Sequence, residues 1–242
     1  MNKMVITLIT SLLLISGCSN PTESNEPAIV QEWVFVANEG NFGASNGSIS
    51  MINQDGIVLE VTEVGDVVQS LEVYENKLIV VVNNSHMIKV YDITEDGLAL
   101  PGIEVSTDNS SPRELVVVGD KVYFTNWNTK DVKVLNLFNY NIETSISVDG
   151  LPESIVSDGS YLWVGIMMNE DYSSASSVVK IDMNTNSVVE TYEVGLGPTS
   201  LEVDEDEVYV ARTFYDENWI PFYGSSKISQ SEVTMKNYGV GT

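Results

Sequence analysis

Few residues of the sequence are suited to catalysis. The 242 residues include one histidine, His86, and one cysteine, Cys18. A serine–histidine–aspartate triad would have to recruit His86, and no nucleophile-elbow sequence lies nearby. Glu72, Glu114 and Glu153 could offer oxygen ligands to Ca²⁺, but they stand at different offsets within an internal repeat. The sequence therefore predicts no catalytic residues, no metal ligands and no cofactor, with a metal-dependent lactonase or hydrolase as an alternative.

Aromatic residues mix with amides and hydroxyls in several segments between apolar blocks. Such a surface is suited to holding a flat or amphipathic ligand. The sequence therefore predicts a ligand-binding face formed by Asn38, Asn41, Phe42, Asn83, His86, Asn126, Trp127, Met167, Tyr172, Arg212, Phe214, Tyr215 and Trp219. In an alternative interpretation, Trp219 and its neighbours fold back onto the strands as local packing.

An internal repeat of roughly 40 residues determines where these segments lie. Pro112, Pro152 and Pro198, with Val68 in the equivalent place, are each followed ten residues later by an apolar block. A second block ending in Asn or Asp comes next, and then an alternating strand with a Gly-containing turn, as expected for a half-exposed edge. The hairpins between first and second strands are expected to turn at Glu75, Gly119, Gly159 and Glu205 or the residues beside them. The first apolar block is apolar at nearly every position, so both faces of that strand must be buried. Four-stranded sheets packed around one axis satisfy these demands, whereas a β-sandwich does not explain the fixed offset.

We therefore predict an all-β fold, a β-propeller of four-stranded antiparallel blades. The repeats lie near 32–67, 68–111, 112–151, 152–197 and 198–242. The connection between the second and third strands varies in length from repeat to repeat and must emerge on one face of the propeller. Repeat proteins commonly place such insertions on the binding face. The predicted ligand-binding residues lie in or beside these connections.

The charge of the chain excludes one class of partner. Lys and Arg number 11 against 35 Asp and Glu, which gives a formal charge of −24. This charge repels phosphate backbones, so we expect no nucleic acid partner. The excess acid is spread along the repeats and is typical of a solvated surface.

The N-terminus has the pattern of an exported, lipid-anchored protein. Residues 4–15 are an almost continuous apolar run, too short to span a bilayer, which leads into the letters ISGC ending at Cys18. This resembles a bacterial lipobox and implies a signal peptide over 1–18, with acyl chains such as palmitate on Cys18. Residues 19–31 read as a polar tether. Ser19 resembles lipoproteins of the outer membrane, and the periplasmic and surface faces both remain open.

The repeat resembles a known family. The letters YFTN at 123–126 nearly spell the signature of the YVTN-type β-propeller repeat, and VGLGP at 194–198 resembles its link between blades. Residues 35–50 resemble the first blade of surface lipoprotein propellers of Bacteroidetes, some of which bind cobalamin beside an outer-membrane transporter. The resemblance implies a membrane-anchored, non-enzymatic module that captures a small molecule such as cobalamin for a transporter. A scaffold that binds a surface protein or glycan is the alternative.

The number of repeats leads to a further expectation. The first repeat begins at its second strand, and the family it resembles usually closes its ring with seven blades. Five repeats are present in 242 residues. We therefore expect the sequence to be part of a longer, seven-bladed protein.

The lipobox yields a direct prediction. Cys18→Ser removes the thiol that would carry the acyl chains, so the protein should move from the detergent phase to the aqueous phase on Triton X-114 partition. Metabolic labelling with a palmitate analogue measures the same change. Labelling that survives Cys18→Ser would contradict the assignment.

Overall fold

The computed structural model describes residues 32–241, and the regular structure in that range is entirely β-strand. Twenty strands form five antiparallel sheets that follow one another along the chain. Within residues 32–241, no helix is long and apolar enough to cross a membrane. The predicted signal peptide, Cys18 and the whole predicted tether lie outside the described residues.

Each sheet is one blade of a β-propeller. Blade one consists of β1 (Trp33–Asn38), β2 (Gly47–Asn53) and β3 (Val58–Gly65). Blade two consists of β4 (Val68–Tyr74), β5 (Lys77–Val82), β6 (Met87–Thr94), β7 (Gly97–Leu98) and β8 (Ile103–Ser106). Blade three consists of β9 (Pro112–Val118), β10 (Lys121–Asn126), β11 (Asp131–Asn136) and β12 (Ile142–Ser147). Blade four consists of β13 (Leu151–Ser157), β14 (Tyr161–Met168), β15 (Ser174–Asp182) and β16 (Ser187–Glu193). Blade five consists of β17 (Pro198–Asp204), β18 (Glu207–Tyr215), β19 (Pro221–Ser229) and β20 (Glu232–Val240).

The strand order confirms the predicted repeat. Blades three, four and five are four-stranded meanders in which each strand pairs with its neighbours in the chain. Blade one has three strands, and β1 takes the place of a second strand. Blade two departs from the pattern, because the two-residue strand β7 pairs with the end of β6 while the fourth strand β8 pairs with the rest of it.

The second strand of each inner blade is buried on both faces. In β5, all five residues from Leu78 to Val82 are fully buried. Successive side chains point to opposite faces of a sheet, so Leu78 and Val80 pack towards blade one while Ile79 and Val81 pack towards blade three. Each of these strands therefore belongs to two hydrophobic cores at once.

The hydrophobic cores lie between blades. Four clusters of buried side chains occupy the junctions between blades one and two, two and three, three and four, and four and five. The fourth strands are mostly exposed, as predicted for a half-exposed edge, and β16 has a single buried residue, Tyr192. The fold thus depends on face-to-face packing of neighbouring sheets.

The predicted hairpin turns between first and second strands are confirmed. Glu75, Gly119, Gly159 and Glu205 occupy these turns with φ between 52° and 86°. Tight hairpins need a residue with positive φ at this point because the turn must match the twist of the strands. These turns lie at the end of the blade opposite the variable connections.

Two phenylalanines allow a matched test of packing between blades. Phe124 is fully buried at the junction of blades two and three, whereas Phe138 is 81% exposed in a turn. Phe124→Ala should lower the free energy of unfolding by about 3–5 kcal/mol because it leaves a cavity in a shared core. Phe138→Ala should change it by less than about 0.5 kcal/mol. Urea unfolding measures both, and equal effects would contradict the packing described.

Candidate ligand-binding cleft

The variable connections between second and third strands leave the blades at one end, here called the loop end. Equivalent strands run in the same direction in every blade, so their connections emerge together. Three predicted aromatic residues are strongly exposed there: Phe42 at 80%, Tyr172 at 69% and Trp219 at 81%. Trp219 itself therefore does not fold back onto the strands.

A cleft of about 280 Å³ lies at the loop end between blades three and four. Its lining residues come from both blades: Trp127, Asn128, Lys130, Leu151, Glu170 and Tyr172. Lys130 Nζ lies 2.7 Å from Glu170 Oε1, so an ion pair joins the two blades at the rim. The indole Nε1 of Trp127 is buried and has no hydrogen-bond partner within residues 32–241. The cleft thus combines two aromatic rings with a paired charge.

The connection of blade four fixes the position of Tyr172. The backbone N–H of Tyr172 donates to the carbonyl of Asn169 at 3.0 Å, and the N–H of Asn169 donates to the carbonyl of Ser173 at 2.8 Å. Asp171 Oδ1 accepts from the N–H and the hydroxyl of Ser173, and these hydrogen bonds lower the pKa of Asp171. A short, internally hydrogen-bonded turn therefore presents the tyrosine ring to solvent.

The Trp127 ring is contacted by Arg113 of the first strand β9, a residue that was not predicted from the sequence. The Arg113 guanidinium carbon lies 4.4 Å from the centroid of the Trp127 ring, a cation–π contact. Arg113 also donates two hydrogen bonds to the carboxylate of Glu153, at 2.9 and 2.7 Å, and one to Gln69 Oε1 at 3.0 Å. Gln69, Arg113 and Glu153 each directly follow the proline position of their repeat, which is Val68, Pro112 or Pro152, and that shared register was the available signal.

Two predicted asparagines are structural. Asn126 is fully buried; its amide donates to the carbonyls of Phe124 and Asp131, and its Oδ1 accepts from the Ser110 hydroxyl. Asn83 is also buried, and it donates to the carbonyl of Pro112 at 2.8 Å. Both stand directly at the end of a second strand, where unpaired backbone groups need a partner. The structure assigns them to the interior and not to the ligand-binding face.

Arg212 is structural for a related reason. It is 3% exposed, and its Nη2 donates to Asn237 Oδ1 at 2.7 Å. A Cβ atom at Gly195 or Gly224 would collide with the guanidinium group. Glycine at these two positions therefore makes room for the buried arginine, which cannot reach a ligand at the loop end.

The other predicted residues of blades one, two and four divide by exposure. Asn38 is half-buried and donates to the hydroxyls of Ser48 and Ser50. His86 Nδ1 accepts from the backbone N–H of Ser111 at 3.1 Å, so this ring helps to hold the connection between blades two and three. Asn41 is exposed and Met167 is half-buried.

The hairpin of β18 and β19 carries the remaining aromatic residues. Tyr215 lies 6.2 Å from Trp219 between ring centroids, and both rings are exposed. Phe214 is half-buried and stacks on Phe222 at 5.3 Å. The structure thus brings together two predicted pairs, Trp127 with Tyr172 across the cleft and Tyr215 with Trp219 on blade five.

The three glutamates considered for Ca²⁺ do not share a site. Glu72 accepts from the backbone N–H of Val117, Glu114 accepts from the hydroxyl of Ser70, and Glu153 pairs with Arg113. Burial raises the pKa of Glu72 and of Glu114, and the nearby charge of Glu153 raises that of Glu114 further. Within residues 32–241, no group of three His, Cys, Asp or Glu side chains is placed to hold a metal ion.

Three larger hollows are less suited to a ligand. One of about 460 Å³ is lined by residues of blade one alone, among them Val34 and Ile52. A hollow of about 400 Å³ at the opposite end contains Trp163 and Tyr161, but Lys180 Nζ already lies 4.7 and 4.0 Å from the centroids of these rings. A hollow of about 620 Å³ lies on the outer sheet face of blade five, where a further blade would pack. The cleft between Trp127 and Tyr172 is therefore the best candidate.

Comparison with known proteins defines the class of the chain. No protein-family model and no curated protein matches the sequence. Similar folds occur in hydrazine synthase of Kuenenia stuttgartiensis (17% identity, TM-score 0.63, covering 79% of this chain and 60% of that one). They also occur in a 6-phosphogluconolactonase-like protein of Bacteroides uniformis (11% identity, TM-score 0.64, covering 86% of this chain and 68% of that one). The mitotic checkpoint complex contains a similar fold (13% identity, TM-score 0.65, covering 84% of this chain and 60% of that one). The chain thus spans about 60% of the first of these structures. It is a β-propeller protein, and these similarities concern the fold alone.

The raised pKa of Glu114 predicts a pH-dependent effect. A carboxyl group whose pKa lies above its usual 4.5 in the folded state costs stability once it ionises, so that cost develops as pH rises through the raised pKa. Glu114→Gln should therefore raise the melting temperature at pH 7.5, with an advantage over the wild type that shrinks towards pH 4.5. Glu153→Gln is the control and should lower the melting temperature, because Arg113 loses its charged partner. A stabilisation by Glu114→Gln that did not depend on pH would contradict this explanation.

Proposed function

We propose that the protein is a non-enzymatic binding module whose loop end holds one ring of a small molecule between Trp127 and Tyr172. The observation that carries this proposal is the meeting of two predicted aromatic residues from different blades across one cleft. Tyr172 is exposed on a short, hydrogen-bonded connection and Trp127 is half-buried beside Arg113. Ligand sites are usually lined by aromatic rings with a few polar groups.

The dimensions and charges of the cleft restrict the ligand. A volume of about 280 Å³ lies at the lower end of small-molecule sites and suits a single planar ring or sugar unit. Asn128 and the Lys130–Glu170 pair offer both donors and acceptors at the rim. The net charge of −24 disfavours polyanions. A larger molecule such as cobalamin would be bound in the cleft through one edge, and the rest of it would contact the neighbouring connections.

The chain enters β1 at the end opposite the connections, where Trp33 Nε1 donates to the carbonyl of Thr94 at the far end of β6. If Cys18 is lipidated, the anchor holds the module in the outer membrane or at the cell surface, near a ligand or a transporter.

A scaffold that binds a glycan or a surface protein is the second candidate. The exposed pair of Tyr215 and Trp219 on blade five favours it, because paired aromatic rings suit the apolar face of a sugar or an interface anchor. The lactonase alternative receives less support, since Glu72, Glu114 and Glu153 on the first strands are each engaged with a different partner.

Cyanocobalamin and a glycan array are the probes that test this proposal. Tyr172→Ala should weaken binding of the small-molecule probe at least about tenfold, since loss of a stacking ring costs about 1.4 kcal/mol or more. Phe138→Ala, at the opposite end, is the matched control and should leave the dissociation constant unchanged. Trp219→Ala separates the candidates, because it should affect the glycan signal and not the cleft. The proposal is wrong if neither probe binds, or if Tyr172→Ala binds as the wild type does.

A further inference from the structure

Arg113 connects three blades beside the candidate cleft. Its Nε and Nη2 donate to the carboxylate of Glu153 in blade four at 2.9 and 2.7 Å, and its Nη1 donates to Gln69 Oε1 in blade two at 3.0 Å. These partners occupy the edge of the guanidinium group, whose carbon lies 4.4 Å from the centroid of the Trp127 ring. Arginine can stack on an aromatic face while its edge forms hydrogen bonds. The side chain that contacts the ring is therefore itself held from two sides.

The backbone that carries the ring is attached to the same segment. The backbone N–H of Trp127 donates to the carbonyl of Ser111 at 3.1 Å, and that of Asn128 donates to the carbonyl of Ser110 at 2.9 Å. Residues 110–113 therefore hold both the backbone and the ring of this tryptophan. We expect the ring to keep one orientation with and without a ligand.

The two faces of the Trp127 ring have different surroundings. Trp127 lines the cleft together with Tyr172, whereas Arg113 does not line it. The guanidinium group therefore covers the side of the ring that faces away from the cleft. The other side borders the cleft, where a ligand would stack.

A cation behind an aromatic ring changes what its free side attracts. The face of an aromatic ring is negative and attracts a cation that lies within about 6 Å of the ring centroid. A guanidinium group on one face draws electron density away from the other face. That face then attracts a second cation, or the C–H groups of a sugar, less strongly. It stacks more strongly with the negative face of an electron-rich ring.

We propose that Arg113 is a positioning residue that makes the cleft selective for an uncharged, electron-rich aromatic ring over a cationic ring or a sugar unit. This inference rests on the proposed function, which leaves a planar ring and a sugar unit both open. The charges at the rim do not oppose it, because Lys130 and Glu170 are paired with each other and add no net charge.

Three probes test the selectivity on the full chain by NMR titration. The first two, 1,3-dimethylindole and 1,3-dimethylbenzimidazolium, have nearly the same shape, but only the second carries a positive charge. The third, methyl β-glucoside, represents a sugar unit. The wild type should bind the indole at least about tenfold more tightly than either of the others.

The variants separate this charge effect from stability. Arg113→Met combined with Glu153→Gln removes the cation together with its partner, so no partly buried charge is left unpaired. This double variant should reduce the preference for the indole over the benzimidazolium at least about threefold. Arg113→Lys keeps a cation at this position and should retain the preference. Glu153→Gln alone keeps the guanidinium group and should retain it too, although this variant lowers the melting temperature.

Tyr172→Ala distinguishes failure of this inference from failure of the proposed function. Equal binding of the indole by Tyr172→Ala and the wild type would count against the function. If Tyr172→Ala weakens binding but the double variant keeps the wild-type preference, the role of Arg113 is wrong and the function stands. A wild type that prefers the benzimidazolium or the glucoside, or that binds none of the three probes, would overturn the selectivity. The tests with cyanocobalamin and the glycan array would then still decide the function.

Discussion

The burial of second strands on both faces is the constraint on which the rest of the structure depends. A strand such as β5, in which every residue from Leu78 to Val82 is fully buried, requires a sheet on each side of it. A single four-stranded sheet cannot meet that requirement, because one of its faces would remain in water. Repetition of the sheet around an axis meets it, and each junction gains a core shared by two blades. Within residues 32–241, the outer faces of blades one and five keep apolar residues such as Val34 and Tyr209, which are exposed.

This packing leaves one end of the molecule free to vary. Stability lies in the second and third strands, so the connections between them can change in length and composition at little cost. Trp127 and Tyr172 lie on such connections in adjacent blades, and their separation is set by the junction beneath them. Arg113 links the cleft to the inner strands, because it contacts Trp127 and is paired with Glu153 of the next blade. Rigid blades therefore hold the two rings across a gap that neither connection could define alone.

The sequence predicted the fold because the repeat constrains it many times over. The ten-residue offset placed the second strands, and residues such as Gly119 and Gly159 placed the turns, so a local error in one repeat was corrected by the others. The candidate site was predicted less well. Asn83 follows a second strand, Asn126 ends one and Arg212 lies within one, and their residue types suit a ligand as well as they suit buried backbone groups. Only the three-dimensional packing distinguishes these roles. Arg113 was missed because its importance comes from a contact between strands that are distant in sequence.

Hydrogen–deuterium exchange on the full chain, with and without cyanocobalamin, would locate the bound ligand. Binding in the cleft should slow exchange in the connections 127–130 and 169–173, which border it. Exchange in the turn that contains Phe138, at the opposite end, should not change. Protection confined to that opposite end, or no protection in either connection, would show that the ligand does not occupy the cleft.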